Sequence, residues 1–322
     1  MKKLEKVSRK FLLGVAEITA VLSFTGTILA FGEKYYWILG LFSNLRVQYF
    51  ILLLISLIIF SIAKRKIYIS IAVLGLIINA IYIYPASINE EKQEYEEQIT
   101  VATFNVYTGN KREKEVIDYV LKNNIDIILF LEINNRWNES LKAIKETFPY
   151  AVTRPREDNF GIVLYSKYPI IKEDIINLTD TLQGVPTIYA KVKLNNGDIN
   201  VIGTHPLPPI SKEYEYLRNE QLTKLAEFLK DKQKSSILMG DFNATPWSYY
   251  MLKFLDESNY QDSNPGIFRA TWNKYHPLFA IPLDYIMTSK DIRIISHFIG
   301  NNIGSDHSLV KAKVSIPYKK ND

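Results

Sequence analysis

Apolar positions crowd into three runs near the start of the chain, at roughly 11–31, 47–63 and 67–84. Each approaches the ~20 residues a helix needs to cross a hydrocarbon layer of ~30 Å. Three such runs in succession predict three transmembrane helices, and a cleaved signal peptide would account for the first alone. From Ile99 onward the pattern changes. Short β-branched runs predict strands at 99–105, 126–131, 161–166, 186–194, 198–204, 236–240, 283–288, 291–297 and 309–315. Amphipathic stretches predict helices at about 112–123, 136–147, 212–232 and 247–256. The turn Asn195-Asn-Gly-Asp198 predicts a hairpin between two of these strands. The mixture predicts a layered α/β or α+β domain with mixed sheets. Three parts are expected: a membrane anchor over 1–87, a polar linker over 88–98 and a catalytic domain over 99–322.

Charge divides along the same boundary. Residues 1–87 hold ten Lys and Arg against three acidic residues, a net of +7. The other 235 hold 29 basic and 31 acidic residues, a net of −2, which disfavours nucleic acid as the partner. Lys2, Lys3, Lys6, Arg9 and Lys10 precede the first span, and Lys64, Arg65 and Lys66 lie between the second and third. The positive-inside rule puts both groups in the cytoplasm and the catalytic domain outside. Glu17 falls within the first span, where it is expected to face a neighbouring helix near the inner leaflet. The chain has no cysteine, which excludes disulfides, thiolate metal sites and a cysteine nucleophile.

The candidate chemistry lies at the ends of predicted strands. Asn105, Glu132, His205 and Asp241 each close an apolar run. Asn243 follows Asp241 in Gly240-Asp-Phe-Asn243. Asp284 lies in Leu283-Asp-Tyr-Ile286, and Asp306 and His307 in Ser305-Asp-His307. A strand end holds a polar group rigidly at the rim of a shared cleft. Carboxylates there bind hard cations, an aspartate takes a proton from water, and amides and imidazoles donate where charge develops. Singly, each such residue is more often a turn former or cap. The ordered set is what points to phosphate-ester hydrolysis.

That set, with Ser166-Lys-Tyr-Pro-Ile170 and Thr204-His205, resembles the endonuclease/exonuclease/phosphatase superfamily over about 99–314. The resemblance implies a four-layered α/β sandwich of the deoxyribonuclease type, preceded here by three transmembrane helices. It implies Glu132 as the main metal ligand, with Asp306 as a second metal-linked carboxylate. Asp241 would activate the water, and Asn105 and Asn243 would donate to phosphoryl oxygens. His307 would stabilise the transition state with Asp284 orienting it, and His205 would be the second histidine. The implied cofactor is Mg²⁺, with Mn²⁺ or Ca²⁺ as alternatives. Some nuclease members carry an aspartate where Tyr107 stands, which argues against a full second metal site. The family's partner for the second histidine falls near Asn159, with Glu157 and Asp158 beside it. Thr271-Trp272 is expected to pack in the core, and Arg154, Arg156 and Arg218 to be solvated or to bind phosphate. His297 is expected to be structural, and His276 matches no motif of the family.

The three spans and the stretch His205-Pro-Leu-Pro-Pro209 are similar to membrane phosphatases of this superfamily that confer teicoplanin resistance. This implies a multi-pass cell-membrane protein with an extracytoplasmic phosphoesterase domain. Its partners would be the lipid bilayer and a lipid-linked phosphate or pyrophosphate, with no obligate protein partner. An extracytoplasmic nuclease or nucleotide phosphodiesterase is the alternative.

Overall fold

The apolar runs form α1 (Lys2–Leu29), α3 (Arg46–Ala63) and α4 (Lys66–Ile83), with a short α2 (Gly40–Ser43) before α3. The computed structural model describes residues 2–84, 95–179, 184–264 and 269–317. Among them, three helices are long and apolar enough to cross a membrane. Ala16, Ala20 and Ala72 are buried where these helices pack. At Gly75 a Cβ would lie 2.7 Å from Leu53 Cδ1, so a larger residue would displace that side chain. Asn79 Nδ2 donates to Thr27 Oγ1 at 2.8 Å. Close backbone approach and interhelical hydrogen bonds hold helices together where lipid is as apolar as a core. Glu17 pairs with Arg65 of the basic turn at 2.6 Å, so it faces a neighbouring helical segment, as expected.

All twelve described strands belong to the second compact unit. One six-stranded sheet runs β11-β12-β1-β2-β4-β3 and the other β5-β6-β7-β8-β10-β9. The first comprises β1 (Tyr95–Asn105), β2 (Ile127–Leu131), β3 (Tyr150–Arg154), β4 (Ile162–Ser166), β11 (Arg293–Ile299) and β12 (Val310–Pro317). The second comprises β5 (Ile170–Asn177), β6 (Pro186–Leu194), β7 (Gly197–Thr204), β8 (Ser236–Asp241), β9 (Tyr260–Asp262) and β10 (Asp284–Ser289).

Strand alternation explains the layers. Ile127, Leu129 and Leu131 point toward the other sheet and pack with Val201, Ile237 and Ile286. Ile128 and Phe130, on the opposite face of β2, pack with α5 (Glu113–Lys122) and α6 (Asn135–Leu141). On the second sheet Ile202 and Leu238 pack with α7 (Lys212–Leu229) and α8 (Tyr249–Ser258). Strands covered on both faces read as continuous apolar runs, as β2 does. The order helix, sheet, sheet, helix is the expected four-layered sandwich.

Three strands were not expected: β3, β5 and β9. The expected linker also ends early, because Tyr95–Gln98 already belong to β1, pairing with β12. Glu97 is buried there and accepts from Asn195 Nδ2 at 2.9 Å and Asn196 N at 3.0 Å, fixing the β6–β7 hairpin. The rest of the expected linker, at 88–94, lies outside the described residues.

Candidate active site

Strand register brings the polar ends together. β1 and β2 are parallel with Asn105 beside Leu131, so Asn105 and Glu132 leave the first sheet at the same end. β7 and β8 are parallel with Thr204 beside Gly240, which aligns His205 with Asp241. β10 is antiparallel to β8 with Asp284 opposite Asp241. Glycine is needed at 240: its φ is +154°, and a Cβ would lie 1.9 Å from Thr204 O. Asn105 joins the two sheets, because its Nδ2 donates to Glu132 Oε1 at 3.0 Å and to Asp241 Oδ2 at 3.3 Å.

Glu132 sits at φ +61°, a left-handed conformation unusual for this residue. Thr108 holds it there: its N–H donates to Oε2 at 3.0 Å and its hydroxyl to the Glu132 carbonyl at 3.0 Å. Burial raises the Glu132 pKa above the ordinary carboxylate range, and the charge of Asp306 adds to this. Its hydrogen-bond partners are amides and a hydroxyl, so among the described residues no ammonium or guanidinium pairs with it. Asp306 accepts from Trp272 Nε1 at 2.9 Å.

Around Asp241, His307 Nδ1 and Asp284 Oδ2 share a hydrogen bond of 2.9 Å. His307 Nε2 and His205 Nε2 each lie 3.6 Å from Asp241 Oδ2. Burial alone would lower the His307 pKa, but the charges of Asp284 and then Asp241 outweigh it and hold the ring up at about 10. Burial, with the charge of Asp284 behind it, raises the Asp241 carboxyl. Burial lowers His205 to about 3, helped by the His307 cation. Among the described residues His205 Nδ1 has no hydrogen-bond partner, and its ring packs 5.4 Å from that of Phe160.

All eight expected site residues lie in this region, with several surroundings unlike those expected. None of the three residues near 159 supports His205: Glu157 accepts from Asn135, and Asp158 pairs with Arg156. The apolar Phe160 packs against the His205 ring. Arg218 is buried, and its Nη1 donates to the Asn243 carbonyl at 2.9 Å, so it holds the Gly-Asp-Phe-Asn turn from behind. Asn243 itself has φ +49° and donates through Nδ2 to Pro206 O at 2.9 Å. Thr271 and Trp272 do more than pack. Thr271 Oγ1 accepts from the Asp284 N–H at 3.0 Å, and Trp272 anchors Asp306. His297 bonds Ser263 Oγ at 2.9 Å, consistent with a structural role. Thr108 was missed, because a threonine three residues after a strand carries no signal of its own.

The donor set suits a hard divalent cation. Glu132 and Asp306 offer carboxylate oxygens, and among the described residues Glu132 has no salt bridge to a Lys or Arg. A second group, Asp241, Asp284 and His307, has one ligand atom of each within 4.8 Å of the others. There His307 Nδ1 is already engaged by Asp284, so these three serve better as a hydrogen-bonded proton-transfer group.

Comparison with known proteins agrees with the fold. Residues 102–307 match the model of the endonuclease/exonuclease/phosphatase family. A phospholipase C of Staphylococcus aureus is 26% identical over 215 residues, 53% of this chain and 64% of the relative's length. A functionally unknown conserved protein from Enterococcus faecalis V583 superposes with a TM-score of 0.56 at 22% identity, covering 67% of this chain and 99% of that one. Sphingomyelinase C from Streptomyces griseocarneus superposes at 0.53 with 18% identity, covering 69% of this chain and 100% of its own. The four layers, the ordered strand-end residues and the match over 102–307 agree: this chain belongs to the endonuclease/exonuclease/phosphatase family.

Proposed function

We propose that the chain is a membrane-anchored, divalent-metal-dependent phosphoesterase acting outside the cytoplasm on a lipid-linked phosphate or pyrophosphate. The observation that carries the reading is the hydrogen-bonded convergence of Glu132, Asn105, Asp241, His307 and Asp284. In this reading 1–87 is the anchor, 88–94 the linker and the remainder the catalytic domain.

Asp241 has both the position and the raised proton affinity to accept a proton from attacking water. His307, held cationic by Asp284, donates from Nε2 to a phosphoryl oxygen as its charge grows. Asn105 and Asn243 orient the phosphoryl group through their amides. Neutral His205 lines the same oxygen of Asp241 and accepts or donates one hydrogen bond without adding charge. Glu132 would hold the cation, with Asp306 positioned by Trp272. Mg²⁺ is the expected ion, with Mn²⁺ or Ca²⁺ as alternatives, and when bound it would supply Lewis-acid charge.

Three features support a lipid substrate. The chain carries three membrane-length helices. Residues 88–322 together have a net charge of −2 rather than a basic excess. Phospholipase C and sphingomyelinase C are among the proteins it resembles. A tether keeps the domain within tens of ångströms of the bilayer, where such substrates are concentrated.

The test is the full chain in mixed micelles with Mg²⁺, offered a polyprenyl pyrophosphate, a phospholipid and plasmid DNA in parallel. Turnover of a lipid without DNA cleavage is expected. Rapid DNA cleavage without lipid turnover overturns the substrate assignment. An alkaline phosphatase fused to the C-terminus should be active in cells, and an inactive fusion overturns the orientation.

A further inference from the structure

Exposed apolar side chains in the catalytic unit are mostly scattered, as on any soluble surface. One loop departs from this. Tyr275-His-Pro-Leu-Phe279 is a run of five consecutive exposed residues. Leu278 is 82% exposed and Phe279 58%. Ile210, on the Pro-rich loop that follows His205, is 73% exposed.

The loop is rigidly tied to the site. Trp272 bridges Ile281 across its base and His307 on its other side. Lys274 N donates to the Asp306 carbonyl at 3.0 Å, and Tyr275 Oη to the Gly304 carbonyl at 2.9 Å. At the tip Pro277–Phe279 form a 3₁₀ turn with proline at its start, so the apolar side chains are presented on a fixed backbone. From Arg269 to Leu283 the segment has no acidic residue. A rigid tip of Tyr, Leu and Phe free of acidic residues has the composition of a segment that inserts at a bilayer interface.

We propose that this loop is a membrane-docking tip: Leu278 and Phe279 enter the acyl boundary of the bilayer beside the site. The inference rests on the lipid-directed reading of the site and specifies how the site meets its substrate. The partner is the lipid surface rather than a second copy, because the same chain carries three membrane-length helices and the loop lacks acidic residues.

The absence of cysteine in the chain permits clean single-site labelling. An environment-sensitive fluorophore is attached to Leu278→Cys in the full chain reconstituted into phosphatidylcholine–phosphatidylglycerol vesicles. Lys193→Cys, at the opposite end of the second sheet, is the reference. Emission at 278 should shift to shorter wavelength and be quenched by spin-labelled lipid, with neither effect at 193. Quenching at 278 by aqueous iodide alone overturns the proposal. A shift that disappears when the protein is diluted at constant lipid also overturns it, since that marks contact between copies.

A Leu278→Ser, Phe279→Ser chain should turn over soluble bis(p-nitrophenyl) phosphate as wild type does. Its apparent KM for lipid in mixed micelles should rise at least ~10-fold, the scale of withdrawing one large apolar side chain from burial. An unchanged KM overturns the proposal. Lipid quenching without lipid turnover by wild type upholds docking and removes only the substrate reading. Turnover with an aqueous-exposed 278 removes docking alone.

Discussion

Two buried histidines stand 3.6 Å from the same oxygen of Asp241, yet their surroundings leave one charged and the other neutral. Around His307, Asp284 takes Nδ1 at 2.9 Å and stabilises the imidazolium, despite full burial. Around His205, the corresponding nitrogen has no partner among the described residues and Phe160 packs against the ring, so the same burial leaves it neutral. Desolvation penalises charge in both places, and one carboxylate decides the outcome. The pair thus supplies one cationic donor and one neutral neighbour to a single carboxylate. That asymmetry is what a site needs when it must stabilise growing negative charge without trapping Asp241 in a second ion pair.

Removing the charged member should have the largest effect. His307→Ala should lower turnover by at least ~10²-fold, the scale of a lost acid–base or electrostatic group. A rate near wild type in steady-state assays would remove His307 from the chemistry. Asp284→Asn should come next, with a loss of about 10²-fold and a diagnostic shift in pH dependence. Because the His307 pKa is raised, activity that needs its cation is complete at lower pH and declines as pH rises through that value. Without Asp284 the pKa falls, so the alkaline limb of kcat should move to lower pH. An unmoved limb would mean that Asp284 does not set the charge of His307. Asp241 has the opposite sign: its raised pKa places the gain of activity on the acid limb, as pH rises and the carboxylate forms.

Two smaller effects sharpen the contrast. Trp272→Phe frees Asp306 from its anchor and should raise the metal concentration for half-maximal activity by about tenfold, as loss of a partner behind a ligand does. A metal titration that superposes on wild type would contradict this. His205→Asn should lower kcat by only about fivefold, the scale of one neutral hydrogen bond, and leave the alkaline limb in place. A loss as large as that of His307→Ala would show that the two histidines are equivalent after all.

How legible these features are in the sequence depends on how many faces a segment buries. The interior strands, covered on both sides, announce themselves as apolar runs such as Ile127–Leu131. The three unexpected strands, β3, β5 and β9, are all at sheet edges. β5 is mostly exposed, so its Lys172, Glu173 and Asp174 mask the alternation. At the site, residues that perform chemistry stand in short motifs at strand ends and can be read. Those that position them cannot, because the contacts span long separations. Thr108 reaches Glu132 24 residues away, and Trp272 reaches Asp306 34 residues away. The surroundings of His205 are equally hidden, since Glu157 and Asp158, which sequence spacing favours, pair instead with Asn135 and Arg156.

The most direct test of the central claim is phosphate release from a polyprenyl pyrophosphate by the full chain and its His307→Ala variant, each with Mg²⁺ and with chelator. Release by wild type should stop on chelation, and the variant should be at least ~10²-fold slower. Equal rates from the two chains, or release that survives chelation, would contradict that claim.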